Sequence, residues 1–191
     1  MDKKTIIFAS GNQGKIREVK EILKEYNVIG MKEAGFMGEI EETGKTFHEN
    51  ALIKAKAVST ALNLPALADD SGLCVEALNG APGIYSARYA GDGVDAHNNQ
   101  LLLKNLENQK NRRAKFVCSL VMYYPNGEII SAEGETYGNI LEKITGENGF
   151  GYDCVFLSDD LNLSLGLASP QEKNKISHRY RALCALKEKL K

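Results

Sequence analysis

The chain predicts an α/β fold built on a mixed sheet. Two observations carry this prediction. The chain opens as strand, glycine-containing turn and helix, and its second half holds a strand hairpin between helical segments. Thr5–Ala9 (TIIFA) is a short apolar run of the kind that forms a buried strand. Ser10–Lys15 (SGNQGK) is the turn, and Ile16, Val19, Ile22, Leu23 and Tyr26 then recur at helical spacing, with charges filling the other face. Gly38–Lys45 is acidic and glycine-broken, hence loop. Thr46 with Glu49 three residues on forms a capping box. Phe47, Ala51, Ala55, Val58 and Leu62 make the apolar face of the helix it opens, and Asn50 and Lys54, four residues apart, point the same way.

Ala66–Ala68 reads as a short strand ending in Asp69-Asp70-Ser71-Gly72, and Asn79–Gly93 as an extended loop. Ala96–Leu106 is expected to be helical. Phe116–Tyr124 and Glu128–Tyr137 are two strands joined by Pro125-Asn126-Gly127, a hairpin turn signal. Thr145–Asp153 is a glycine-rich loop and Cys154–Leu157 a short strand. Ser169-Pro170-Gln171-Glu172 is a second capping box, with proline at the first helical position. A last amphipathic helix runs through Leu183, Leu186 and Leu190.

With 191 residues, 43% of them hydrophobic, the chain supports one domain, residues 1–191, with a sizeable core. A net charge of −1 argues against a dedicated nucleic-acid binder. The four cysteines and three histidines are scattered, which excludes the spacing of a structural zinc site and suits reduced thiols in the cytosol. The apolar run between Met1 and Ser10 is too short for a signal segment or a membrane span, so a cytoplasmic setting is expected.

Four places carry candidate chemistry. The turn Ser10–Lys15 offers backbone N–H groups at a helix N-terminus, with Lys15 in reach of a phosphate. It is not a Walker A loop, because the glycine spacing is shorter and Ile16 stands where Ser or Thr is needed; an ordinary strand–helix turn is the alternative. Glu41, Glu42, Asp69 and Asp70 are the acids. Carboxylates at the end of a strand suit Mg²⁺ or a general base, and neighbours in extended chain point to opposite faces, so Asp69 and Asp70 do not share one role. Taken alone, Glu41-Glu42 also reads as solvated loop and Asp69-Asp70 as a turn or cap. In Gly146–Asp153 an aromatic stands between glycines, as a ring stacked on a flat ligand would, or as a ring tucked into the core. Ser177-His178-Arg179, with Lys173 upstream, offers donors to a purine O6 and N7; by itself the tripeptide reads as a helix N-cap with two solvated charges.

The order of these blocks is more specific than any one of them. SGNQGK at Ser10, EETG at Glu41, FHENALIKA at Phe47, ADDSGL at Ala68, GAPGIYSARY at Gly80, GFGYD at Gly149 and Lys173 with ISHR at Ile176 follow one another as in the inosine triphosphate pyrophosphatase family, which the chain closely resembles from Ile6 to Leu186. The resemblance implies a long mixed sheet with flanking helices, two lobes around a central cleft and a homodimer. It also implies hydrolysis of non-standard purine nucleoside triphosphates (ITP, dITP, XTP) to monophosphate and pyrophosphate, with Mg²⁺ as cofactor and neither nucleic acid nor membrane as partner.

By the same resemblance Ser10, Gly11, Asn12, Gln13, Gly14 and Lys15 hold the triphosphate, and Lys54 and Ser71 contact phosphates or metal-bound water. Glu41 and Asp70 match the magnesium positions, Asp70 being also the proton acceptor, and Glu42 is the immediate neighbour of Glu41. Phe150, Gly151, Tyr152 and Asp153 match the base-stacking loop, and Lys173, His178 and Arg179 complete the base pocket. One departure is visible: Cys154 stands where the family commonly has proline, so the loop exit lacks proline's fixed φ. Another nucleotide phosphohydrolase and a non-catalytic nucleotide-binding module are the competing readings.

Overall fold

The computed structural model describes residues 3–190. The reading of the stretch from Met1 to Ser10 includes Met1 and Asp2, which lie outside the described residues. The elements are β1 (Thr5–Phe8), α1 (Gln13–Ile22), β2 (Asn27–Gly30), α2 (Phe47–Leu62), β3 (Ala66–Val75), α3 (Asp95–Asn105), β4 (Arg113–Tyr123), β5 (Ile129–Ile140), β6 (Phe156–Ser158), β7 (Leu163–Ser164), α4 (Pro170–Ile176) and α5 (His178–Lys189). Short 3-10 segments lie at Glu76–Leu78, Gly83–Arg88 and Asp153–Val155. The strands form one 7-stranded sheet in the order β2-β1-β3-β4-β5-β6-β7. β1 pairs parallel with β2 and β3, whereas β6 pairs antiparallel with β5 and β7. The sheet is therefore mixed and flanked by helices, as expected.

The chain divides into two compact units. The first takes the chain up to Asp70, Cys118–Gly134 and the chain from Arg179 on; the second takes Ser71–Val117 and Glu135–His178. In the first unit, strand alternation sorts β1 between two apolar clusters. Ile6 and Phe8 pack with Ile16, Val19 and Leu23 and with Ala182, Leu183 and Leu186 of α5. Ile7 and Ala9 pack with Ala51, Ala55 and Val58 of α2. Each large apolar side chain so buried contributes roughly 1.5–3 kcal/mol. The second unit has its own core, in which Leu102 and Leu106 meet Leu73, Val75, Phe116, Ile140, Val155 and Phe156.

Several boundaries differ from the expectation. The first helix stops at Ile22; Leu23 caps it, and Tyr26 packs from the turn beyond. β2, only four residues long, gave no distinctive pattern. The strand expected at Ala66–Ala68 runs on to Val75, so Asp69 and Asp70 lie inside it rather than at its end. A strand covered on both faces does not alternate, and paired carboxylates let it continue. The stretch Asn79–Gly93 contains the 3-10 segment Gly83–Arg88. The strand expected from Cys154 starts at Phe156, because Asp153–Val155 is a 3-10 turn. The hairpin closes as expected: Gly127 has φ +89°, and Tyr124 N donates to Glu128 O.

Candidate functional site

The first unit gathers the predicted phosphate and acid residues. At the N-terminus of α1, Ser10 Oγ accepts from Asn12 N at 3.1 Å, and Asn12 Oδ1 accepts from Lys15 N at 3.1 Å. Asn12 is thus the N-cap, and no acidic side chain occupies the first turn. The positive end of the helix is left uncompensated over Gln13 and Gly14. Lys15 Nζ lies 2.9 Å from Asp69 Oδ2.

Asp69 is a structural hub. Only 1% exposed, its Oδ2 also accepts from Arg179 Nε and Nη2, each at 3.2 Å, and Arg179 Nη1 in turn donates to Glu18. Burial by itself would raise the Asp69 carboxyl, but Lys15 and then Arg179 outweigh it and hold the group well below the usual carboxylate range. Its Oδ1 is buried with no hydrogen-bond partner. Arg179, predicted for the base pocket, is placed in the first unit; the guanidinium, 2% exposed, pairs there with Asp69 and Glu18.

Asp70 points the other way, as alternation requires. Asn50 Nδ2 donates to Asp70 Oδ2 at 3.0 Å, and Lys54 Nζ lies 4.0 Å from Oδ1 and 2.9 Å from Glu42 Oε1. Burial pushes the Asp70 carboxyl up, with Lys54 and Asn50 opposing and Glu42 adding to the rise. Burial would lower the Lys54 ammonium, but Asp69, Asp70 and Glu42 together raise it. The pair Asn50 and Lys54, one turn apart on α2, thus meets the same carboxylate. Glu42, not Glu41, is the acid brought to Lys54; Glu41 is exposed. Ser71 follows on β3, half-buried.

The loop carrying Glu42 is tied to this cluster at Gly44, whose N–H donates to Asn50 Oδ1 at 2.8 Å. A Cβ at Gly44 would stand 2.6 Å from Asn50 Oδ1 and 2.8 Å from Asn50 N. Gly44→Ala is expected to cost about 1–3 kcal/mol through overpacking, read as a lower denaturation midpoint; an unchanged midpoint would mean that the loop relaxes without strain.

The second unit holds the aromatic loop. Gly149 and Gly151 have φ +80° and +60°, a region that favours glycine, and they present Phe150 at 44% exposure. Asp153 Oδ2 accepts from Phe150 N at 2.9 Å and from Lys173 Nζ at 2.5 Å, and that ammonium sits 4.1 Å from the Phe150 ring centroid. Tyr152 turns inward: it is buried, its hydroxyl donates to Ser86 O at 2.7 Å, and burial raises the phenol above its usual range. It braces the loop from within and presents no stacking face. The His178 ring lies 5.0 Å from that of Phe116 at 14°, and Phe116 in turn packs on Phe156.

No group of three or more His, Cys, Asp or Glu is arranged to hold a metal ion among the described residues. Mg²⁺, however, commonly takes one or two protein carboxylates plus substrate phosphates, and the pair Glu42 and Asp70 beside Lys54 fits that demand.

Residues 6–189 match the model of the Ham1 family. The chain belongs to the Ham1 family. It is similar to the dITP/XTP pyrophosphatase of Clostridium perfringens, 47% identical over 98% of both chains, and to that of Staphylococcus epidermidis, 49% identical over 97% of this chain and 95% of the relative. Among solved structures, the Staphylococcus aureus Ham1 protein superposes with a TM-score of 0.91 at 47% identity, and a Coxiella burnetii HAM1 protein with 0.91 at 41%, each over 98% of both chains. The family resemblance read from the order of the motifs is borne out. In this Ham1-family chain Glu18, Asp95 and Asn99 also touch candidate site residues, although no motif names them. Glu18, three residues after Lys15, and Asn99, four after Asp95, each share a helix face with that neighbour, a faint signal that names no partner.

Proposed function

We propose that this chain hydrolyses non-standard purine nucleoside triphosphates (ITP, dITP, XTP) to the monophosphate and pyrophosphate. The observation that carries the reading is the carboxylate pair Asp70 and Glu42 on Lys54, in the same unit as the N-terminus of α1. The dITP/XTP pyrophosphatase names of relatives that match the chain nearly end to end support the same reaction.

In this proposal the Ser10–Lys15 turn binds phosphate oxygens through first-turn N–H groups and Lys15. Glu42 and Asp70 would hold Mg²⁺, which would supply positive charge to neutralise the phosphates. Asp70 takes a proton from water. The water oxygen bonds to the α-phosphorus, the bond from that phosphorus to the bridging oxygen breaks, and pyrophosphate leaves. Lys54 steadies the charge on the departing oxygens. Phe150 stacks on the purine, and Lys173 and His178 donate to the six-oxo edge. Relative to the sequence reading, Glu42 takes the place of Glu41 as metal ligand, and Arg179 becomes the support beneath Asp69 and Lys15.

Incubation with ITP, dITP, XTP, GTP and ATP, with and without Mg²⁺, tests the reading. Magnesium-dependent pyrophosphate from the first three, with little from GTP or ATP, is expected. Orthophosphate in its place would move the attack to the γ-phosphorus and sink the mechanism. For the stacking role, Phe150→Ala is expected to raise the KM for ITP about tenfold with kcat little changed, since base–aromatic stacking is worth about 1–3 kcal/mol; an unchanged KM would remove Phe150 from the base site. A homodimer and a cytoplasmic setting belong to the proposal on family grounds. No helix among the described residues is long and apolar enough to cross a membrane.

A further inference from the structure

The aromatic loop is gripped by α3 at Gly151, the residue between exposed Phe150 and buried Tyr152. Asp95 Oδ2 accepts from Gly151 N at 2.7 Å, and Asn99 Nδ2 donates to Gly151 O at 2.9 Å. Asp95 and Asn99 stand one helical turn apart, so both groups of Gly151 are held from one helix face. The second contact of Asn99 Nδ2 is Cys154 Sγ, at 3.5 Å. The Gly151 carbonyl requires a donor, which fixes the orientation of the amide.

Packing does not explain Asn99. The side chain is 3% exposed and its Oδ1 is buried without a hydrogen-bond partner. A buried acceptor left unsatisfied is unfavourable, so packing alone favours an apolar side chain here. What asparagine adds is the donor to the loop. It acts at the loop exit, where Cys154 provides no restraint on φ and a proline would.

We infer that Asn99, with Asp95, is a positioning residue that holds Phe150 in place by bracing Gly151 and Cys154, supplying the rigidity that proline at position 154 would otherwise give. The inference rests on the reading of Phe150 as the purine platform, and the test separates the two. The full-length variants Asn99→Leu, Cys154→Pro and the double variant are compared by amide hydrogen exchange over residues 149–155, by melting temperature, and by KM and kcat for ITP. Cys154 lies in the first turn after the N-cap Tyr152 of a 3-10 segment, where N–H groups lack an intrahelical acceptor and proline is tolerated.

In Asn99→Leu, exchange over 149–155 is expected to quicken about tenfold without a lower melting temperature, as local opening does. KM is expected to rise about fivefold with kcat within about twofold, and Cys154→Pro in that background is expected to restore both. Asn99→Ala removes the same donor without adding volume and is expected to give the same exchange pattern. Unchanged exchange in both Asn99 variants, or no rescue by proline, overturns the brace. Faster exchange with rescue but an unchanged KM leaves the brace standing and removes Phe150 as the purine platform.

Discussion

Asp70→Asn is expected to lower turnover of ITP by about 10²–10⁴-fold, the usual contribution of a positioned general base, while sparing the fold. The substitution keeps the shape of the side chain and an oxygen that can accept from Asn50 Nδ2. It leaves Lys54 paired with Glu42. Folding disfavours the charge at Asp70, since burial raises its carboxyl, so a neutral amide there does not cost stability. The melting temperature should therefore stay level or rise while kcat collapses, and calorimetry should still detect nucleotide binding. Near-normal turnover in Asp70→Asn would take the proton-accepting role away from this residue. A collapse of kcat with a large fall in melting temperature would instead assign Asp70 a structural part.

Asp69→Ala is expected to do the reverse and strike stability first. Removing this carboxylate leaves Arg179, 2% exposed, with Glu18 as its remaining acid in these ion pairs, and takes from Lys15 its 2.9 Å partner. Breaking a buried ion pair by deleting one partner costs about 3–5 kcal/mol, which in a chain of this length lowers the melting temperature by about 10 °C. Phosphate binding should also weaken, because the anchor of Lys15 is lost. Thermal denaturation of the purified variant checks this. A shift of about 2 °C or less, under 1 kcal/mol on the same scale, would mean that the Asp69, Arg179 and Glu18 network holds little of the first unit together. The two neighbouring aspartates thus predict opposite phenotypes, one kinetic and one thermodynamic, because strand alternation sends them to different partners.

Much of the candidate site's local geometry was legible because its signals are local. Ser169 and Glu172 close the expected capping box on α4, whereas on α2 Thr46 caps Glu49 N but the Glu49 carboxylate accepts from Lys45 N, one residue short of the reciprocal bond. Asn50 and Lys54 meet Asp70 because four residues make about one helical turn. The turn at Ser10–Lys15 and the glycines around Phe150 likewise announce backbone geometry over a few residues. Which of Glu41 and Glu42 meets Lys54 was not legible. In an irregular loop no period assigns a face to either, and the hydrogen bond from Gly44 to Asn50 is part of what seats the loop. Tyr152 lies in the segment that matches the base-stacking loop, but a sequence does not tell an aromatic that faces a ligand from one whose hydroxyl finds Ser86 O.

The sequence by itself determined the fold class, the helix N-caps, the hairpin and the family, and it named the segments from which the candidate site is built. Caps, turns and periodicity act over one or two turns of chain, so they are written where they operate. Tertiary structure alone decided the partners. Arg179 reaches Asp69 across 110 residues and Glu18 across 161, and Asn99 reaches Gly151 across 52. Such contacts depend on where the packed sheet and helices bring distant backbone together, and a charge or an amide carries no mark of the group it will meet.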